Sequence, residues 1–193
     1  MNFLTRKNIE RAHKKKRRQL RWLFEHLKHV GRNVEIGPDW NISAPQKVEI
    51  GDHVWIGEHF YAKGEGGIVI GSGTIISRKV EIWTQNHNYD SDDLMTIPYD
   101  KRMIQKPVTI GENVWCGTHV LIMPGAVVGE GVVIGAGSVV TGTVPDYAVI
   151  GGNPAKVIKY RNKERYLQLK QEGKIYLDEE YDYDKSSLRR SEW

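Results

Sequence analysis

Residues 108–141 read VTIGENVWCGTHVLIMPGAVVGEGVVIGAGSVVT. Taken in sixes from Ile110, the lead positions are Ile110, Cys116, Ile122, Val128, Ile134 and Val140, all apolar. Glycine follows the lead at 111, 117, 129 and 135, and Val114, Val120, Ala126, Val132 and Ser138 stand four places after a lead. An α-helix repeats near 3.6 residues and a strand near 2, so neither alone produces a period of six. Repeats this short build parallel β-helices, in which each hexad gives one short strand and one corner, with the lead side chain stacked inward. The glycine after the lead fits a corner needing backbone freedom that a Cβ would restrict.

The sixes extend back to Val30. Leads fall at Val30, Ile36, Ile42 and Val48, restart at Ile50, Ile56, Ala62 and Ile68, and restart again at Ile70, Ile76 and Ile82. Val30-Gly31, Ile50-Gly51 and Ile70-Gly71 therefore recur every twenty residues, whereas Ile110-Gly111 to Val128-Gly129 is eighteen. Eighteen is three sixes, which makes one turn a triangle of three short strands; the earlier turns carry two extra residues at one corner. About five stacked turns bury a continuous apolar column. The pattern breaks once, between Trp83 and Pro107, and this excursion (84–107) is polar and aperiodic. Its Tyr89, Tyr99, Leu94, Met95, Ile97 and Met103 predict an ordered loop leaning on a neighbouring surface rather than a disordered one. After Thr141, VPDYAVIGGNPAKVIKYR closes the column. Three parts are expected: a basic helical segment at 1–29, the β-helix at 30–160, and a last helix (about 161–172) with an acidic tail at 161–193.

The chain has 193 residues and a net charge of +4, unevenly placed. Residues 1–32 hold eleven Lys or Arg against Glu10 and Glu25, a balance of +9 that leaves −5 for the rest. Leu20, Leu23, Phe24 and Leu27 give the first helix one apolar face, and Lys14-Lys15-Lys16-Arg17-Arg18 rings it with charge. Two readings follow: a solvated helix whose Leu/Phe stripe packs on the main domain, or a contact with an anionic membrane or other polyanion. Specific reading of nucleic acid is not expected. The acidic tail (Asp178, Glu179, Glu180, Asp182, Asp184) reads as a solvated run. One cysteine, Cys116, excludes an internal disulfide framework, and its lead position makes it a core residue. No apolar run is long enough to span a membrane and no signal-peptide pattern opens the chain, so a cytoplasmic protein is expected, peripheral at most to the inner membrane face.

His87, between Asn86 and Asn88 where the loop leaves the third side of the triangle, is the candidate general base, since an imidazole accepts a proton near neutral pH. His53, His59 and His119 form no pair at helical metal-binding spacing and read as exposed prism-face residues, so no metal is expected. Gly135-Ala-Gly137 lies within the six-residue phase, and its glycines are corners rather than a dinucleotide loop.

The hexads, the break holding Asn86-His87-Asn88, the run Ile110-Gly-Glu-Asn-Val-Trp-Cys-Gly117 and the closing Gly152-Asn-Pro-Ala-Lys156 resemble the hexapeptide-repeat acyltransferases. The match is to sugar O-acetyltransferases of the maltose and galactoside type, over about residues 30–160. The resemblance implies an all-β fold, a left-handed parallel β-helix, although nothing in the spacing gives that hand and ordinary crossovers are right-handed. It also implies a homotrimer with sites in the grooves between prisms, and transfer of acetyl from acetyl-CoA to a hydroxyl. On it, His87 is the base. Lys63, Asn86 and Met103 face the acceptor. Trp115 is a groove residue near coenzyme A, Thr118, Ala136 and Thr141 line the pantetheine arm, and Lys156 and Lys159 face the nucleotide phosphates.

The chain departs from that pattern at Phe60-Tyr-Ala-Lys63, where those enzymes carry Asn in place of Lys63, and in the short GEGG corner at 64–67. Maltose and galactoside are therefore not expected as acceptors. The expectation is an O-acetyltransferase acting on a sugar or a surface-glycan precursor. The alternatives are N-acetylation of an amino sugar or of a xenobiotic, a γ-type metal hydratase, and a non-catalytic trimeric scaffold.

Overall fold

The computed structural model describes residues 3–177; the predicted acidic tail lies outside the described residues. A helix, α1 (Phe3–His26), precedes a triangular column. Its first turn is β1 (His29–Val30), β2 (Glu35–Ile36) and β3 (Asn41–Ser43), and its second is β4 (Val48–Ile50), β5 (Trp55–Ile56) and β6 (Tyr61–Lys63). The third is β7 (Ile68–Ile70), β8 (Ile75–Ile76) and β9 (Glu81–Trp83). A hairpin, β10 (Gln85–His87) and β11 (Met103–Gln105), interrupts the column there. Then come β12 (Val108–Ile110), β13 (Trp115–Cys116) and β14 (Leu121–Ile122), followed by β15 (Val127–Val128), β16 (Val133–Ile134) and β17 (Val139–Val140). A sixth turn has two parallel strands, β18 (Thr143–Val144) and β19 (Ala148–Gly152), and ends in β20 (Ala155–Tyr160), antiparallel to β19. A short helix, α2 (Lys163–Gln171), follows.

Each of the first five turns donates one strand to each of three sides. The first side is β1-β4-β7-β12-β15-β18, the second is β2-β5-β8-β13-β16-β19-β20, and the third is β3-β6-β9-β14-β17. Every lead residue from Ile50 onward is buried inside the triangle, Cys116 among them, as are Val114, Val120, Ala126, Val132 and Ser138. Each aliphatic side chain so buried contributes roughly 1.5–3 kcal/mol, which is why the six-residue phase persists for six turns. Burial also pushes the Cys116 thiol up to about 12, as befits a core residue.

The glycine after each lead has a different cause from the one expected. These residues do not need a positive φ. A Cβ built on Gly71 would stand 2.5 Å from the carbonyl carbon of Gly111, one coil on, so the constraint is the close approach of stacked corners. The left-handed backbone falls two places later, at the lead-plus-three position: Asn33, Asp39, His53, His59, Lys79, Asn113 and His119 all have φ between 54° and 61°, and Gly73 and Gly137 share the position. Asn, Asp and His are the non-glycine residues that best tolerate this region, which accounts for three of the histidines as corner residues. His59 and His119 are exposed as expected, and His53 is half-buried.

The first end, the last strand of the second side and one corner of the column are covered. Helix α1 lies across the first turn: Leu23 and Leu27 are buried in the core, Leu20 and Phe24 pack against it, and the Lys28 amide donates to Pro45 O (3.1 Å) and Val48 O (3.0 Å). The Leu/Phe stripe thus does what its spacing predicts. β20 covers the last strand of the second side. The corner between the first and second sides is sealed by the C-terminal segment. There the Tyr166 hydroxyl donates to Glu130 Oε1 (2.9 Å) and accepts from Asn113 Nδ2 (3.0 Å), and Lys170 bridges Glu112 (2.8 Å) and Glu130 (2.6 Å). Further down, Ile175 lies over Gly73, and Asn33 Nδ2 donates to Leu177 O (3.4 Å), so the segment spans all the coils of that corner.

Candidate active site

The two extra residues of the early turns lie at the corner between the third and first sides, and the hairpin leaves the column at the same corner. Gln85, Asn86 and His87 pair with Gln105, Ile104 and Met103, so Met103 faces His87 across the hairpin. Thr84 anchors its base, donating to Lys63 O and accepting from the Gly66 amide (2.7 Å). Lys63 projects from the same corner and pairs with Glu65 at 3.6 Å.

The tip of the hairpin is held by charge. Asn88 and Asp100, each 4% exposed, are joined by an Asn88 Nδ2–Asp100 Oδ2 bond of 2.9 Å. The Arg102 guanidinium donates to Asp100 Oδ2 through Nε (2.9 Å) and Nη2 (2.5 Å), and to Asp93 Oδ2 through Nη1 (2.7 Å). Those bonds hold the Asp100 carboxyl well below the usual carboxylate range, against the opposing effect of burial. The paired charges fix the residue immediately after His87.

His87 is correspondingly ordered. Its amide donates to Asn86 Oδ1 (2.9 Å) and its ring stacks on Tyr99, centroids 3.9 Å apart and planes at 17°. Nδ1 is buried and has no hydrogen-bond partner among the described residues. The sequence pattern does not mark Tyr99, Asn88, Asp100 or Arg102 as site residues. They lie up to fifteen residues along an aperiodic loop, and only the bare Asp-x-Arg pattern at 100–102 hinted at them.

The loop's base leans on the column, where Lys106 lies beside Gly125, but the apolar side chains of its tip are left mostly uncovered by the described residues. Met95 is 79% and Ile97 88% exposed, and Tyr89, Met103 and Ile104 are exposed as well. The expectation of a covered loop fails within one protomer.

The remaining predicted residues form a second group. Thr118 and Ala136 occupy equivalent positions in successive coils at the corner between the second and third sides, linked by the Gly137 amide donating to Thr118 O (2.9 Å). Trp115, 56% exposed, projects outward from the second side beside that corner, and Val133 and Val149 follow it in register on the next two coils. Lys159 pairs with Val149 and Lys156 with Gly151, with a register shift between them. Paired residues share a face, so the shift brings both exposed lysines onto the outward face that carries Trp115. Strands stack about 4.8 Å apart, so a wall of roughly 14 Å runs from the Trp115 indole to the first lysine. Thr141 is not part of this wall. It is exposed at the hairpin's corner, five residues of extended chain from Ala136.

The structure thus divides the candidates between two corners flanking the third side: Lys63, Asn86, His87, Met103 and Thr141 at one, and Thr118 and Ala136, with Trp115, Lys156 and Lys159 on the adjoining face, at the other. Among the described residues no group of three or more His, Cys, Asp or Glu side chains could hold a metal ion, and no helix is long and apolar enough to cross a membrane.

Residues 107–142 match the family model "Bacterial transferase hexapeptide (six repeats)". WcaF of Escherichia coli K12, named as an acetyltransferase of colanic acid biosynthesis, is 36% identical over 132 residues, 68% of this chain and 69% of that protein. A galactoside acetyltransferase in complex with coenzyme A superposes with a TM-score of 0.67 at 30% identity, over 75% of this chain and 70% of that one. A hexapeptide-repeat acetyltransferase of Vibrio cholerae complexed with acetyl coenzyme A gives 0.65 at 28%, over 72% and 73%. The structures matched are left-handed parallel β-helices, and this chain has their fold.

Proposed function

The chain belongs to the hexapeptide-repeat transferase family and is an acetyl-CoA-dependent acetyltransferase, and from that premise we propose that it acetylates a hydroxyl of a sugar or surface-glycan precursor with His87 as general base. The observation that carries the assignment is the presentation of His87: one ring face closed by Tyr99, the backbone pinned between Asn86 and the Asn88–Asp100–Arg102 network, and the side chain at an open corner.

Acetyl-CoA supplies the acetyl group as a thioester. Nε2 of His87 takes the proton of the acceptor hydroxyl as its oxygen bonds to the acetyl carbon, and the proton passes to the departing sulfur, so the products are an acetyl ester and a free thiol. A positioned base of this kind contributes roughly 10²–10⁴-fold. For Nε2 to accept, Nδ1 must carry the other proton. Its lack of a hydrogen-bond partner among the described residues supports a second protomer supplying the acceptor.

The division of site residues supports the same conclusion. In a homotrimer whose third sides face the axis, the hairpin corner of one protomer meets the Trp115 corner of the next, and the exposed Met95 and Ile97 find cover there. The wall from Trp115 to Lys156 and Lys159 suits a cofactor with an extended arm and phosphates: apolar along its length, cationic at its end. Lys63, paired with Glu65 where sugar enzymes of the resembled type carry Asn, gives an acceptor pocket of different polarity.

The test is acetyl-CoA turnover, read as free thiol, with pooled sugar and amine acceptors. His87→Ala is expected to lower acceptor-dependent release at least ~100-fold. Equal release by both proteins removes His87 from the mechanism, and turnover with amines alone overturns the hydroxyl assignment.

A further inference from the structure

We propose that the outward face of α1 is a docking surface for an anionic phospholipid bilayer, set at the end of the prism and apart from the acetyl-transfer site. The helix is not a loose basic arm. Leu23 and Leu27 are buried in the column, Lys16 reaches Asp39 of the first turn (4.0 Å), and Lys28 is bonded to the corner at Pro45 and Val48. The helix therefore crosses the end of the column as a rigid bar. At 3.6 residues per turn, the arc opposite its buried stripe holds, among the described side chains, Lys14, Lys15, Arg18, Arg21 and Trp22, all exposed, with Glu25 the one acid there. Four cations thus share a face directed away from the prism, with the indole at its edge, beside Trp40 of the first turn.

The indole identifies the occupant. Trp22 is 49% exposed, and its orientation is fixed: the His26 ring stacks on one of its faces at 4.3 Å, while His26 Nδ1–H donates to Trp22 O (2.7 Å). Beside it a cavity of about 360 Å³ opens to solvent between Trp22 and Trp40, rimmed by Arg18 and Gln19. Indoles concentrate at the headgroup level of membranes, and lysine and arginine next to them meet lipid phosphates. A single-stranded polyanion is the weaker fit, because it gains from free aromatic faces and one face of Trp22 is already taken. A flat bilayer also meets all four cations of a straight bar at once. His87 leaves the third coil, about 10 Å along the axis from the first, so docking by this end leaves the hairpin corner and the Trp115 wall uncovered.

The test is co-sedimentation of the full chain with vesicles of phosphatidylcholine alone or with roughly a third phosphatidylglycerol. The wild-type protein is expected to partition to the anionic vesicles only, and to release at about 0.5 M salt. A basic side chain near anionic lipid contributes about a fivefold factor, so Lys14→Ser/Lys15→Ser/Arg18→Ser/Arg21→Ser is expected to lose at least ~100-fold in partitioning. Its thiol-release activity and circular dichroism are expected to stay at wild-type values. Trp22→Ser keeps the charge and is expected to lose several-fold. Should the fourfold variant misfold, the single exposed changes Lys14→Ser and Arg18→Ser carry the test, each at about fivefold. Equal partitioning to neutral vesicles, binding by the fourfold variant at the wild-type level, or displacement of the vesicles by single-stranded RNA would each overturn the proposal, the last in favour of a nucleic-acid surface.

Discussion

Replacing Gly71 by alanine tests why the repeat carries a glycine after its leads. The new Cβ would stand 2.5 Å from the Gly111 carbonyl carbon, where ordinary contact begins at 3.4 Å, so adjacent coils must part by about 0.9 Å at that corner. The Gly71 amide bonds Ile110 O at 2.8 Å, and the same displacement carries it to about 3.7 Å, beyond a hydrogen bond. One or two buried backbone bonds are then lost at about 1–3 kcal/mol each, and the side chains stacked beneath forfeit part of their dispersion contacts. The sum is about 3–5 kcal/mol. Gly137 offers the opposite case: φ is +72° and a Cβ would meet nothing within 4 Å. Asparagine already holds the equivalent position at Asn33 and Asn113, so Gly137→Asn is expected to cost less than about 1 kcal/mol. In thermal unfolding at matched protein concentration, a chain of this size moves roughly 2–4 °C per kcal/mol. Gly71→Ala is therefore expected to melt roughly 6–20 °C below wild type and Gly137→Asn within about 4 °C of it. Equal melting of the two variants, or a wild-type transition for Gly71→Ala, would refute the close-approach account.

Three further outcomes follow from the site and the core. Mixing His87→Ala with Thr118→Trp, each inactive alone, is expected to restore about a quarter of wild-type turnover after co-refolding, because one in four protomer contacts then joins two intact corners; no restoration places the site within one chain. Cys116 is expected to be silent to a thiol reagent in the native protein and to react fully in denaturant; rapid native labelling would contradict its place in the core. The depressed Asp100 carboxyl stabilises the hairpin above the ordinary carboxylate value near 4, and that stability is lost as pH falls through the lower folded value. Carbon NMR is accordingly expected to place the Asp100 titration well below the ordinary carboxylate value, and an inflection near 4 would sever Asp100 from Arg102.

The column was legible because inward stacking permits only one phase: a lead at Ile110, Cys116 or Ile134 is either apolar or ruinous. The reason for the following glycine was misread because a forbidden Cβ looks the same in sequence whether φ or a neighbouring coil forbids it. The mixture of Asn, Asp, His, Lys and Gly three places after the lead held the missing signal. Lys156 and Lys159, three apart in a strand, would alternate faces by simple spacing, and only the register shift in β20 brings them together. Eleven residues without a period lie between Asn88 and Asp100, so the network that holds His87 could be found only in three dimensions.

The capped ends of the column govern what the protein avoids becoming. A parallel β-helix presents at each end three strand edges with unpaired amides and carbonyls, matched in spacing to the opposite end of another copy. α1 covers the first edges and β20 turns the last strand of the second side back antiparallel, which interrupts the parallel ladder another copy would continue on that side. Removing α1 would expose Val30 and Ile36 together with those edges, and the expected product is end-to-end growth toward fibres rather than a shorter soluble prism.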